Sequence, residues 1–345
     1  MQLTPLRELR FSLYKACMTK QRQSNIELLR LVSMFMVMMC HATGYVNEAD
    51  LAGVSGAAKL VISQLCLICV NVFVMISGWF GIKASLKGVC ALLFQVFFIT
   101  VLCFGVCSLF GLPVSFKNHL LPYFLMGNGY WFVVSYLIMY ALSPVLNRFA
   151  ESASQKEFIL TLALVFSAEF FYGYILGRAE YAFGFSPLAF VNLYLLAKYA
   201  RLYPGKLFSF SRGKDISIYL LVTLVSIIGL WFGYRLFGMG FHLNHYDSPL
   251  AIVAALYFLL FFSKLEINSR FVNWCAASAF AIYLIHENNL VAPHYNAIFE
   301  RLCTVVPEWG FYPAMMLILL VIGFVCILVD QPRKWLWAKI LIIWK

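Results

Sequence analysis

The chain has 345 residues, of which 63% are hydrophobic and only 12% charged, with a formal net charge of +11. Soluble globular chains are about 45–50% apolar and about 25% charged, so this composition, with a mean hydropathy of +0.83, excludes an ordinary soluble domain. The apolar runs are long and uniform, which excludes a β-barrel built from ~10-residue strands of alternating polarity.

An apolar run of about 18 residues or more predicts a membrane helix, and the sequence contains many. Residues 1–25 are polar and basic, with no small-residue cleavage site after a short apolar core, so no secretory signal is expected and the first span anchors the chain. Met18, followed by "TKQRQSNIE", is an alternative start. The predicted spans run at about 26–46, 60–81, 88–111, 129–147, 157–176, 186–200, 216–236, 248–263, 271–292 and 310–330. They make an all-α polytopic membrane bundle of about ten helices. One transmembrane domain occupies 26–335, between the basic segment 1–25 and a basic tail, 336–345.

The basic residues sort by side. With the N-terminus inside, the outer loops hold only Lys59, Lys117, Arg178, Arg235 and Arg301, and Arg30 lies within a span. All other Lys and Arg fall on the cytoplasmic side. This is the positive-inside pattern, so both termini are expected in the cytoplasm and the net charge reports topology, not nucleic acid. Most cysteines lie inside spans and read as small core hydrophobes. Cys66 and Cys69 have CxxC spacing without a second ligand pair, so no zinc site is expected there.

Ionisable groups within spans are expensive and are candidates for function. In "LLRLVSMFMVMMCHATGYV", Arg30 and His41 are separated by ten residues. At about 100° per residue they share one helix face, about 16 Å apart along the axis. Glu27, three residues before Arg30, can pair with it near the cytoplasmic edge. A polar stripe is therefore expected from that edge into the bundle, with His41 past the midplane. Arg30 could instead snorkel to the inner interface, and His41 could make one interhelical hydrogen bond.

The fifth span carries Glu169 in "FSAEFF", a carboxyl that needs a partner, a proton or a water cavity. In the ninth, "SAFAIYLIHENNL", Tyr283 and Glu287 share a face while His286 points about 100° away from Glu287. That cluster could equally anchor the helix at the outer headgroups. In the second span Ser77-Gly78 reads as close helix packing. Pro144 ends or kinks the fourth. His242 and His245 have three-residue spacing but no evident third metal ligand, and no metal is expected. His119 and His294 have no evident partner. No Walker loop, GxGxxG, GxSxG or HExxH motif occurs, and no internal repeat marks a transporter's inverted halves.

The stretch "RQSNIELLRLVSMFMVMMCHATGY" resembles the first-helix signature of the acyltransferase-3 family of integral membrane acyltransferases. Its hallmark is an arginine and a histidine with ten residues between them, met by Arg30 and His41, and its preceding acidic residue corresponds to Glu27. "NVFVMISGWF" (71–80), "YWFVVSYLIMYALSPVLN" (130–147) and "SAFAIYLIHENN" (278–289) resemble the same family in the same order. The resemblance covers about residues 22–335. It implies transfer of an acyl group, usually acetyl, from cytoplasmic acetyl-CoA to a hydroxyl of a cell-envelope glycan or lipid-linked saccharide across a bacterial plasma membrane. It does not extend to the SGNH-type esterase domain of some larger relatives. The Arg-x-x-Arg pair of some relatives is represented only by Lys198 and Arg201.

On that reading His41 is the expected general base or a transient acyl carrier, because imidazole titrates near the working pH. Arg30 would bind a CoA phosphate or polarise the thioester, with Glu27 holding it. Lys198 and Arg201 would attract the phosphate-rich end of the donor, and His286 or Glu169 would complete the acceptor side. Acetyl-CoA would be a substrate, with no permanently bound cofactor. The competing expectation is a transporter or flippase in which the same Arg, His and Glu bind an anionic or glycan substrate.

Overall fold

The computed structural model describes residues 23–44, 54–124, 129–240 and 242–343. The basic segment before Gln23, with Met18, lies outside the described residues. Every regular element described is helical: α1 (Ser24–Thr43), α2 (Val54–Cys66), α3 (Cys69–Phe80), α4 (Leu86–Leu109), α5 (Leu121–Phe124), α6 (Trp131–Ser152), α7 (Gln155–Ala168) and α8 (Pro187–Leu202) come first. Then follow α9 (Arg212–Phe237), α10 (Pro249–Ser263), α11 (Arg270–Ala276), α12 (Ala279–His286), α13 (Ala292–Val305), α14 (Glu308–Val329) and α15 (Gln331–Ile343). Seven of the described helical stretches are long and apolar enough to cross a membrane. The protein is an all-α polytopic membrane bundle.

Helix α1 is the hub. It packs against α2, α3, α10, α11, α12 and α14, and 61% of its apolar window is buried, against 22% for α4. A helix with neighbours on most sides can carry polar groups without showing them to lipid. Its first turn is tied down by Asn25, whose Nδ2 donates to Phe262 O at 3.0 Å and Ser263 O at 3.2 Å at the end of α10.

Serine supplies many of the helix starts. Ser85, Ser154, Ser186, Ser211 and Ser269 each accept a backbone N–H three residues on, filling donors the first turn leaves open. Gly78 sets a close approach between α3 and α8: a Cβ there would stand 2.2 Å from Tyr194 O. The Tyr194 hydroxyl then accepts from Ile82 N at 2.8 Å and donates to Asn147 Oδ1 at 2.8 Å.

Two spans expected to be continuous are broken. The second is interrupted at Leu67–Ile68, where no Gly or Pro marks it, and Tyr219 donates its hydroxyl to the freed Leu65 carbonyl at 2.9 Å. The ninth is interrupted at Ala277–Ser278, where the Ser278 hydroxyl accepts from Gln331 Nε2 at 3.2 Å. The fifth passes into a π-helical segment, Glu169–Ile175, and α13 occupies what the hydropathy pattern assigns to an outer loop.

Candidate active site

Three side chains from two helices converge at one end of the bundle. His41 stands in the last turn of α1, His286 is the last residue of α12, and Glu287 follows it as the cap. His41 Nδ1 is 2.8 Å from Glu287 Oε1 and 2.9 Å from His286 Nε2. On an uninterrupted helix His286 and Glu287 diverge by about 100°. Here α12 ends between them, and both reach the same nitrogen.

The hydrogen-bond chain assigns the protons. His286 Nδ1 lies 2.6 Å from Ile282 O, and a carbonyl only accepts, so that nitrogen carries the hydrogen. In neutral His286, Nε2 is then an acceptor, as is Glu287 Oε1. Both call for a hydrogen on His41 Nδ1, which leaves the lone pair of His41 on Nε2. Among the described residues Nε2 has no hydrogen-bond partner, and His41 lines a cavity of about 30 Å³. A carboxylate behind Nδ1 and a free Nε2 in front is the arrangement of a general base held in one tautomer.

Aromatic side chains brace the end of α12. Tyr130 donates to Leu284 O at 2.5 Å and accepts from Asn288 Nδ2 at 3.2 Å, and Asn289 N donates to the Tyr123 hydroxyl at 2.6 Å. Tyr295 on α13 donates to Met38 O at 2.7 Å, its ring 5.3 Å from that of His286. Lone tyrosines in the sequence read as interfacial anchors, so only the fold reveals this brace.

The cavity lies on the Arg30 side of His41. Met34 and Val37, on the α1 face that joins the two residues, line it with Phe73, Trp131, Phe132, Tyr246, Phe280 and Tyr283. The polar stripe expected along α1 is therefore polar at its ends and apolar between them. Arg30 Nη1 is 3.4 Å from Glu27 Oε2, as the i, i+3 spacing predicts. On α3 and α6 the Ser77 and Tyr136 hydroxyls are 3.2 Å apart.

Lys198 and Arg201 on α8 gather at the same end of α3. The Arg201 guanidinium stacks 5.3 Å from the Trp79 ring centre and 5.0 Å from that of Phe80. A Cβ on Gly81, whose φ is +76°, would fall 2.5 Å from Lys198 Nζ. Lys198 and Arg201 thus stand at the C-terminal end of α3, while Arg30 lies in the first half of α1 and His41 in its last turn. Glu169 stands apart: its Oε2 accepts from Asn192 Nδ2 at 2.8 Å and it lines a different cavity, with Asp247. His242 and His245 stack on one another with ring centres 4.8 Å apart.

His41, His286 and Glu287 also offer three ligand atoms within 4.8 Å of one another, the only such group of three among the described residues. Two imidazoles and a carboxylate suit zinc, although the hydrogen bonds above satisfy the same atoms without an ion.

An apolar bundle with a half-buried, carboxylate-backed histidine lining an apolar cavity is suited to group transfer within a membrane. The family of acyltransferase domains matches residues 23–339, nearly the whole chain, and the protein belongs to that acyltransferase-3 family. No curated protein and no solved structure matches it.

Proposed function

We propose that the protein transfers an acetyl group from cytoplasmic acetyl-CoA to a hydroxyl of a cell-envelope glycan at the other face of a bacterial plasma membrane. The observation that carries this is the unpartnered Nε2 of His41, fixed as the basic nitrogen by Glu287 and His286. Arg30, and the cations Lys198 and Arg201 on α8, suit the phosphates of the donor, with Arg30 favoured for a bidentate contact. The apolar lining of the cavity between Arg30 and His41 suits the methyl end of an acetyl group.

In the reaction, His41 Nε2 takes the proton of the acceptor hydroxyl as its oxygen attacks the thioester carbonyl. The tetrahedral intermediate collapses, the C–S bond breaks, and the imidazolium returns the proton to the leaving thiolate. The products are an O-acetyl ester and free CoA, with no net proton released. Glu287 stabilises the imidazolium while it exists.

The two broken spans favour a second reading, because interrupted helices line substrate paths in transporters. One experiment decides between them. Vesicles holding the purified protein receive acetyl-labelled donor on the Arg30 side and glycan on the other. Ester label on the glycan supports transfer; passage of intact solute without label supports transport.

A further inference from the structure

The cavity at His41 is small. Its volume of about 30 Å³ gives room for about two water-sized groups, the size of the methyl and carbonyl oxygen of an acetyl group. Its walls are apolar, with Met34, Val37, Val70, Phe73 and Phe132 among them. Such walls select by size and not by hydrogen bonding.

A second cavity, of about 280 Å³, lies beyond Tyr246. Cys40, the neighbour of His41 in α1, lines it with Ser63, Gln64, Asn244 and His245. Tyr246 lines both cavities. Its ring stacks on that of Trp131, which lines the His41 cavity, with centres 6.4 Å apart. The same ring meets Phe185, which lines the larger cavity, edge-on at 5.0 Å. The phenol therefore stands as the partition between the two spaces.

The partition is clamped. Tyr246 lies in the loop ahead of α10, and its carbonyl accepts from Asn71 Nδ2 at 2.9 Å. Asn71 itself is fully buried in α3. On another side the backbone of Gly184 presses close: with φ at +90°, a Cβ there would stand 2.6 Å from Tyr246 Cβ. A ring packed this way yields only at a cost, because cores resist overfilling as they resist voids.

We propose that Tyr246 sets the length of the acyl group: its ring closes the His41 cavity behind an acetyl methyl and keeps longer chains from seating their thioester at His41. The inference rests on the transferase reading and deepens it, because the choice of donor then depends on one side chain. Without that ring the small cavity opens into the large one, and longer chains fit.

The test uses binding alone. The full-length protein in nanodiscs is titrated with S-ethyl-CoA and S-butyl-CoA, thioethers that cannot transfer their chains, and binding to empty nanodiscs is subtracted. The parent is expected to bind the ethyl compound about tenfold more tightly, the usual scale for overfilling a packed cavity. In Tyr246→Ala the two should bind within about twofold of each other, through tighter binding of the butyl compound once the wall is gone. Tyr246→Leu, which keeps an apolar side chain should the alanine variant fold poorly, is expected to narrow the ratio in the same direction. Tyr246→Phe keeps the ring and should keep the parent's ratio. Equal binding of both thioethers to the parent, a ratio unchanged in both the alanine and leucine variants, or a ratio lost in the phenylalanine variant would overturn the proposal and leave the donor reading standing. Binding of neither thioether to the parent would overturn the donor reading, and the role of Tyr246 with it.

Discussion

His41 Nδ1 and Glu287 Oε1 lie 2.8 Å apart, although 246 positions separate them in the chain, and this contact sets which nitrogen of His41 faces the cavity. Glu287→Gln keeps the shape but can offer an amide N–H to His41, favouring the other tautomer. The variant is expected to lose about 10²–10⁴-fold in kcat, the usual span for general-base catalysis, with the KM for acetyl-CoA little changed. Steady-state kinetics with both substrates checks this, and a KM effect alone would assign Glu287 to binding.

His286 positions His41 without facing the cavity itself. His286→Ala frees His41 to rotate, so kcat should fall and its pH profile shift, whereas a merely structural role would lower the amount of folded protein and leave the profile of the remainder alone.

Arg30 is expected to act on the donor. Arg30→Ala should raise the KM for acetyl-CoA about tenfold or more, the loss of roughly one charge-assisted hydrogen bond, and Arg30→Lys should recover only part because it lacks the planar fork. An unchanged donor titration would leave Arg30 as an interfacial residue paired with Glu27.

The two histidines and the glutamate form a trap for zinc. Micromolar zinc should inhibit, chelation should restore activity, and Glu287→Gln should weaken the inhibition by removing one of three ligands.

Asp247 lies in the loop ahead of α10, and burial pushes its carboxyl up to about 6. Glu169 faces it across the cavity, His242 and His245 stand in its own loop, and Tyr174 lies in its field. A folded value above the unfolded one of about 4 means the folded state holds the proton between them. That contribution to stability is present below about pH 4 and lost as pH rises through about 6. The melting temperature of Asp247→Asn relative to the parent should therefore rise between pH 5 and pH 7.

Much of this was legible. An offset of eleven positions from Arg30 to His41 puts them on one face of α1 because helical geometry repeats closely over three turns, and long apolar runs predict the bundle because lipid leaves a helix few alternatives. The interior of the stripe was not legible: Met34 and Val37 share that face, and only the surrounding aromatics make it the wall of an apolar cavity. Nor was the partnership of Glu287 with His41, because it depends on where α12 stops and on the break at Ala277–Ser278, which no Gly or Pro announces. Nothing in the sequence singles out Asp247; that its carboxyl is buried without a hydrogen-bond partner among the described residues appears only in the fold.

The most direct test is the transfer itself. Sealed vesicles with the Arg30 end of α1 outward receive acetyl-labelled CoA outside and envelope glycan within. Ester label on the enclosed glycan, abolished by His41→Ala in protein that remains folded and inserted, is the predicted result. Label that persists in His41→Ala, or label that never reaches the enclosed glycan, would contradict it.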